Sequence, residues 1–271
     1  MRASAEAAVY RWVAQSARKM TAAHLEKRLA RRCHKSRAAA RRMIRQMVSG
    51  GRLRYIYIYG QSYIDLSFQR PTPITRQILL VPPGCTPNPA PDQQAVILSP
   101  GAAFGDGHHP TTRLALKGLA TLWPSTDGHP APALQRGLDI GTGSGILAIA
   151  AARFGVQRID ALDLDPCALS EARLNVDHNR LGHRIRLSGQ PLEKLSTTYD
   201  LILANLRLPT LCAIAPWIAL HARPQGHLVV SGFRESESAA LHRAYPDHAY
   251  TWRWREVQAG WCGAVGQKKP Q

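Results

Sequence analysis

The run Asp139-Ile140-Gly141-Thr142-Gly143-Ser144-Gly145 restricts what this chain can fold into more than any other stretch of it. It joins a strand-like segment, GLDI, to a buried helix-like one, GILAIAAAR, which Gly155 ends. Three glycines at alternate positions let the backbone turn sharply and approach a ligand closely. Their spacing is GxGxG. The dinucleotide fingerprint needs GxGxxG, and residue 146 is Ile, which argues against a pyrophosphate cradle and against NAD. Asp163 follows 22 residues beyond Gly141, at the end of the next strand-like run, RIDALDL. A carboxylate there can accept hydrogen bonds from a ribose diol. Each feature alone has a structural explanation, a tight turn and a strand-end acid that caps the next helix. The pair at this spacing favours a nucleoside cofactor without phosphate.

Around this loop strand and helix alternate. CALSEARLNVDHNRL reads as an amphipathic helix ended by Gly182, followed by strands RIRLS and YDLILANL. A helix near residues 209–221 leads to the strand HLVVSGF, a helix near 236–244 and a closing pair, YTWRWREV and GWCGAVGQ. Continuous apolar strands alternating with helices imply an α/β, doubly wound sheet covered on both faces. Ahead of it, residues 71–100 hold 8 of the 19 prolines and are expected to be a linker with at most short strands, QILLV and AVILS. The expected organisation is a basic module over 1–70, a Pro-rich linker over 71–100 and the α/β domain over 101–271.

Charge is concentrated in the first of these. Residues 1–70 carry 16 basic and 3 acidic side chains, a net +13, whereas residues 71–271 carry 19 and 15, a net +4. Such a block suggests a polyanionic partner, because Lys and Arg contacts to phosphates release counterions. Val9, Trp12 and Val13 mark a first helix there, and Thr21 caps a second that carries Leu25 and Leu29 inward. A third runs from about Ser36 to Val48, with Ala40, Met43, Ile44, Met47 and Val48 as its apolar stripe, and stops at Gly50-Gly51. RLRYIYIYGQSYIDLSF then alternates β-formers around a turn at Gly60-Gln61-Ser62. Three helices and a hairpin is the order of a winged helix. Arg37, Arg41 and Arg45 are four apart on the third helix and share one face. Like charges repel there, so stability gives no reason for them; phosphates and guanine edges do, and the three are expected to contact nucleic acid, the alternative being a winged helix that serves protein interaction or dimerisation.

Other classes are set aside on composition. Five scattered cysteines (Cys33, Cys85, Cys167, Cys212, Cys262) with no CxxC pair argue against a disulfide framework or structural zinc and fit a reducing cytoplasm. His108 and His109 are adjacent and point apart in an extended loop, so no metal is expected. No stretch approaches the ~18 apolar residues of a membrane helix, and the N-terminus lacks the apolar run of a secretory signal. Trp252, Trp254 and Trp261 are expected to pack the sheet edge.

Upstream of the sheet stands Pro100-Gly101-Ala102-Ala103-Phe104-Gly105-Asp106-Gly107-His108-His109-Pro110-Thr111-Thr112, and downstream GLDIGTGSGILAIAA, LDLDP and YDLILANL. In this order the sequence resembles the bacterial PrmA family over roughly residues 75–269. These are class I methyltransferases that trimethylate amino groups of the large-subunit ribosomal protein L-eleven. The resemblance implies a seven-stranded class I methyltransferase sheet, S-adenosylmethionine as donor and a protein amine, lysine or α-amino, as acceptor. On matching positions it implies that Phe104, His108 and Thr111 close over the cofactor. Asp139, Gly141, Thr142, Gly143 and Gly145 would hold its methionine part and Asp163 its ribose, while Asn205 would sit beside the transferable methyl as a catalytic residue. Two features depart from the family. Asp106 stands where the family usually has Thr, in the loop that faces the reaction centre, and is expected to act in catalysis by attracting the substrate lysine, steadying the sulfonium or marking another acceptor. Residues 1–70 also lack the βαββαβ pattern of the ferredoxin-like domain with which the family grips its ribosomal protein, which separates the choice of substrate from the chemistry.

Methyl transfer from a sulfonium is an in-line displacement, so the protein mainly positions and desolvates. A lysine, with an unperturbed pKa of ~10.4, must first lose a proton, and burial lowers that pKa. Nucleobase methyltransferases place an Asx-Pro-Pro-aromatic string where this chain has Asn205-Leu206-Arg207-Leu208, which weighs against a base as acceptor. Three readings stay open: an N-methyltransferase of a ribosomal or nucleic-acid-associated protein, a DNA or RNA methyltransferase targeted by the winged helix, and a DNA-binding regulator that only senses the cofactor.

Overall fold

The computed structural model describes residues 4–16, 18–99, 101–123 and 133–270; Pro100, the first residue of the string ahead of the sheet, lies outside them. The chain divides into two compact units, Met1–Arg70 and Pro71–Gln271.

In the first unit α1 (Ala5–Gln15), α2 (Ala22–Cys33) and α3 (Arg37–Ser49) precede a hairpin of β1 (Leu53–Ile58) and β2 (Gln61–Leu66). Each helix begins on a hydroxyl cap: Ser4, Thr21 and Ser36 accept from the amides of Ala7, His24 and Ala39. Their apolar faces close over a core of Val9, Leu25, Leu29, Ala40, Ile44 and Met47, completed by Leu53, Ile64 and Leu66 of the hairpin. Met20 adds a single antiparallel bridge to Ile64. The hairpin turn lies one residue earlier than expected. Ile58 pairs with Gln61, which leaves Tyr59 and Gly60 as the two turn residues at φ +46° and +79°. Two positive φ values match the twist of a tight hairpin, but tyrosine is not a residue that announces such a turn.

The three carboxylates of this unit each take one base: Asp65 pairs with Lys19 at 2.7 Å, Glu6 with Arg52, and Glu26 with Arg41 through a fork of 3.1 and 3.3 Å. Arg41 is thus tied to α2. The expectation that stability gives no reason for the arginines of α3 is corrected for this residue, while Arg37 and Arg45 stand exposed on either side of it.

The second unit begins with β3 (Thr72–Pro73), β4 (Ile78–Val81) and β5 (Gln94–Ile97), a three-stranded sheet in which β4 and β5 run parallel. This is the segment expected to be a linker. Its two predicted short strands are present, but Ile78, Leu80, Val96 and Leu98 are buried in the unit's main core, so it is part of the body rather than a tether. After α4 (Pro110–Ala120) come β6 (Arg136–Ile140), α5 (Ile146–Arg153), β7 (Arg158–Leu162), α6 (Pro166–His178), β8 (Ile185–Ser188), β9 (Tyr199–Asn205), α7 (Leu208–His221), β10 (Ala222–Arg234), α8 (Ser238–Ala244), β11 (Tyr250–Gln258) and β12 (Trp261–Lys268).

Seven strands form one sheet in the order β11-β12-β10-β9-β6-β7-β8, with β12 antiparallel to both neighbours and the rest parallel to one another. This is the class I methyltransferase sheet. Both faces are covered, as continuous apolar strands require: β9 sends Leu201 and Leu203 into the core under α4 and α5, and Ile202 and Ala204 into the core under α7 and α8. A bulge between Trp252 and Trp254 in β11 gives each face one tryptophan. The chain leaves β6, builds β7 and β8 on one side and returns as β9 on the other. The crevice at the carboxyl ends of β6 and β9 is therefore the switch point where ligands of such sheets bind.

The element that sequence reasoning missed is α4. It is buried nearly all round, with the polar Thr111, Thr112 and Arg113 inside beside Leu114, so its burial does not follow its polarity. Among the described residues no helix is long and apolar enough to cross a membrane.

Candidate active site

The loop after β6 is shaped by its glycines. Gly141, Gly143 and Gly145 sit at φ +69°, +54° and +83°, a region open to glycine and costly for other residues. Space adds a second constraint. A Cβ on Gly143 would lie 2.3 Å from the Phe104 carbonyl oxygen, and one on Gly141 would lie 2.6 Å from Leu206 Cδ2. The loop is thus pressed between the segment ahead of α4 and the residue that follows Asn205. Thr142 donates through its amide to Leu162 and through its hydroxyl to Asp139 Oδ2, at 2.8 and 2.7 Å.

Asp139 is fully buried. Its Oδ2 also accepts from the Ala148 amide at 3.1 Å, while Oδ1 accepts from no described residue. Burial pushes its pKa up to about 7, with Asp163's charge adding to the rise and the two hydrogen bonds opposing it. Asp163, at the end of β7, accepts from the Gly143 amide through Oδ2 at 2.8 Å and from the Asp165 amide through Oδ1 at 3.0 Å. Both oxygens keep lone pairs for a further donor. Leu164 beside it is an exposed apolar residue that no sequence motif singles out.

The segment ahead of α4 lies directly on this loop. Ser144 donates to the carbonyls of Phe104 and Gly105, both at 2.9 Å. Glu171 of α6 takes the amides of Ala102 and Ala103 at 2.8 and 2.9 Å, and Asn175 accepts from Ser99 while donating to Ser144. Arg113, buried, donates to the carbonyls of Gly107 and His108. Glu171 and Asn175 were legible in the sequence only as a helix face, and Arg113 not even as that.

Within the segment Asp106 turns both oxygens to His108. Oδ1 accepts from the His108 amide at 2.9 Å, and Oδ2 meets the ring at Nδ1 at 2.6 Å. Asp106, expected to act in catalysis in the loop facing the reaction centre, is thus a carboxylate engaged by its neighbour. Thr111 is buried with its hydroxyl 2.8 Å from His109 Nδ1, so it faces that ring. Phe104 is half-exposed and tilts against His109, whose ring meets Trp261 edge-on at 5.0 Å; Arg234 lies over Trp261 at 3.7 Å. Trp261, expected to pack the sheet edge, instead props this segment.

Asn205 ends β9, beside Gly141 by the register of Ala204 with Ile140. Its Nδ2 approaches Thr112 Oγ1 at 3.5 Å, and its buried Oδ1 accepts from no described residue. The structure thus gathers Phe104, Asp106, His108, Asp139, Gly141, Thr142, Gly143, Gly145, Asp163 and Asn205 at the switch point, with Thr111 directed to His109. Arg37, Arg41 and Arg45 belong to the other unit. Among the described residues no group of three or more His, Cys, Asp or Glu side chains is arranged to hold a metal ion.

Residues 66–269 match the family profile of ribosomal protein L11 methyltransferase (PrmA). The protein named ribosomal protein L11 methyltransferase in Pelobacter propionicus is 37% identical over 196 residues, covering 72% of this chain and 62% of that one. The protein of the same name in Thiobacillus denitrificans is 36% identical over 201 residues, covering 73% and 63%. The crystal structure of ribosomal protein L11 methylase from Lactobacillus delbrueckii subsp. bulgaricus superposes with a TM-score of 0.65 at 27% identity, covering 74% of this chain and all of that one. The chain spans 62% and 57% of the length of two curated relatives it matches, and the family match begins at residue 66.

Proposed function

Because the chain belongs to the ribosomal protein L11 methyltransferase (PrmA) family, we propose that it is an S-adenosylmethionine-dependent protein N-methyltransferase acting on a lysine or α-amino group. When bound, S-adenosylmethionine supplies an electrophilic methyl on a sulfonium. The residues present fit it: a cradle at Gly141 and Gly143 that a Cβ would fill, a buried acceptor atom on Asp139 and a strand-end carboxylate at Asp163. Asp139 Oδ1 and the loop 141–145 would hold the amino-acid part, Asp163 the ribose, and Phe104 would cover it.

One observation carries the choice of an amine acceptor: the buried, unpartnered Oδ1 of Asn205 beside Gly141. A neutral amine keeps N–H donors while its lone pair attacks, so an acceptor atom at this place holds the nitrogen and aims it. No dedicated base is needed once burial has lowered the amine's pKa. Asp106 is assigned a positioning role, fixing His108 in the segment over the cofactor. Asp106→Thr is expected to lower kcat by less than about tenfold with cofactor affinity kept, because Arg113, Ser144 and Glu171 hold the segment independently.

The substrate is read as a ribosomal or nucleic-acid-associated protein in the cytoplasm, approached through the basic first unit, with Arg37 and Arg45 meeting phosphates and Arg41 shared with Glu26. The test is transfer of radiolabelled methyl from S-adenosylmethionine into lysate of a strain lacking this protein, separated into protein and nucleic acid. A single labelled protein is expected. Label only in nucleic acid would replace this reading with a nucleic acid methyltransferase. Cofactor binding without any label would replace it with a cofactor-sensing regulator.

A further inference from the structure

The hairpin of the first unit carries a feature that neither fold nor catalysis uses. Tyr55, Tyr57 and Tyr59 alternate along β1 into its turn, and their exposure rises toward the tip: 52%, 74% and 103%. None of the three makes a hydrogen bond through its hydroxyl to a described residue, and none stacks on another described ring. Tyr59 holds a left-handed backbone, φ +46°, at a place where Asn or Asp before Gly would be at ease. It does so with a fully exposed side chain. Ala259 holds the same left-handed place before Gly260 in the turn between β11 and β12, so what marks the first unit's turn is its fully exposed ring.

We propose that this tyrosine row is a stacking platform for unpaired bases of a single-stranded nucleic acid. Tyr55 and Tyr57, two apart on β1, are about 6.8 Å apart, and Tyr59 continues the row into the turn. That gap accepts one flat base, about 3.4 Å from a ring on each side, the spacing at which bases stack in nucleic acid. Base–aromatic stacking tolerates any sequence, because every base has a π-face. The charge of the unit supplies the other half. Its three carboxylates are each matched by one base, so the net +13 of residues 1–70 remains to attract a backbone of phosphates. The same charge repels a second copy of this unit, which argues against a dimer face. A membrane surface fits less well. The apolar faces of α1, α2 and α3 are closed in their own core, leaving no apolar helix to insert.

The proposal rests on the reading of the first unit as a nucleic-acid-contacting module, and the test separates the two. The full chain is titrated by fluorescence anisotropy against labelled oligouridine, oligothymidine and a blunt duplex, and against anionic phospholipid vesicles. The double variant Tyr57→Ala, Tyr59→Asn removes two rings while placing Asn-Gly in the turn, which favours the hairpin. It is expected to bind both single strands about tenfold or more weakly and the duplex unchanged, with recovery in Tyr57→Trp, Tyr59→Asn. Arg37→Ala, Arg45→Ala is expected to weaken all nucleic acids and lower the salt slope by about two. Unchanged single-strand affinity in the tyrosine variant, with the arginine effect intact, overturns the platform alone. No effect of either pair overturns the module reading as well. Tyrosine-dependent binding to vesicles in preference to oligonucleotides assigns the row to a membrane and overturns the proposal.

Discussion

The two units handle charge in opposite ways. In residues 71–271 the carboxylates that matter lie inside or half inside, fastened to backbone amides: Asp139 on Ala148, Asp163 on Gly143 and Asp165, Glu171 on Ala102 and Ala103. In residues 1–70 the core is apolar, each of the three carboxylates is matched by one lysine or arginine, with Asp65 buried and also accepting from the Leu66 amide, and the remaining basic charge faces outward. The difference teaches where to look for recognition in each. A buried carboxylate held at a fixed geometry selects a small ligand that enters, whereas an unscreened basic surface selects an extended anion that lies across it.

The contrast can be broken most sharply at Gly143. Gly143→Ala pushes a methyl into the Phe104 carbonyl at a positive φ, and cofactor binding is expected to vanish in calorimetry while circular dichroism shows a folded chain. Retained affinity would show that the segment can lift, and the interior site would no longer count as rigid. Next in size, Asn205→Ala is expected to lower kcat about a hundredfold with cofactor affinity nearly kept, because it removes the aim and not the cradle.

Asp139 gives a pH test of the interior charge in the ligand-free chain. Its folded pKa, about 7, lies above the unfolded value of 3.8. Between the two the folded state holds a proton that the unfolded state has lost. Stability is therefore full below the ordinary carboxylate range and falls by up to ~1.4 kcal/mol per pH unit until about pH 7. Urea unfolding from pH 5 to 8 should show the fall, and Asp139→Asn should flatten it; an equal slope in the variant would assign the titration elsewhere. The smallest effect is on the surface. Glu26→Gln releases Arg41 and should steepen the salt dependence of nucleic acid binding by no more than about one. A flatter slope would mean Glu26 serves the bound form.

Much of the second unit was legible because its strands are buried on both faces and read as apolar runs, and because glycines at alternate positions mark a loop that only glycine can make. Asp163 followed from a strand end, and Asn205 from the resemblance to the family. Legibility failed where a residue's role depends on a distant neighbour. Glu171 and Asn175 look like the polar face of α6 until Ser99, Ala102 and Ala103 come to lie on them. Trp261 reads as an edge residue because nothing in sequence brings His109 to it, 152 positions away. Arg41 reads as surplus charge because Glu26, its partner, sits 15 positions earlier on another helix. The linker expectation failed for a different reason: prolines at 82, 83, 87, 89 and 91 punctuate the loop between β4 and β5, while the strands themselves contain none.

The place of β12 has a consequence for how the chain is made. It is last in sequence among the strands yet sits between β10 and β11, so β11 has no partner until Lys268 has been synthesised. The first unit closes its hairpin at Leu66, roughly 200 residues sooner, which at 5–20 residues per second is about 10 to 40 s. During that interval the first unit already presents its basic surface while β10 and β11 still lack the strand that joins them.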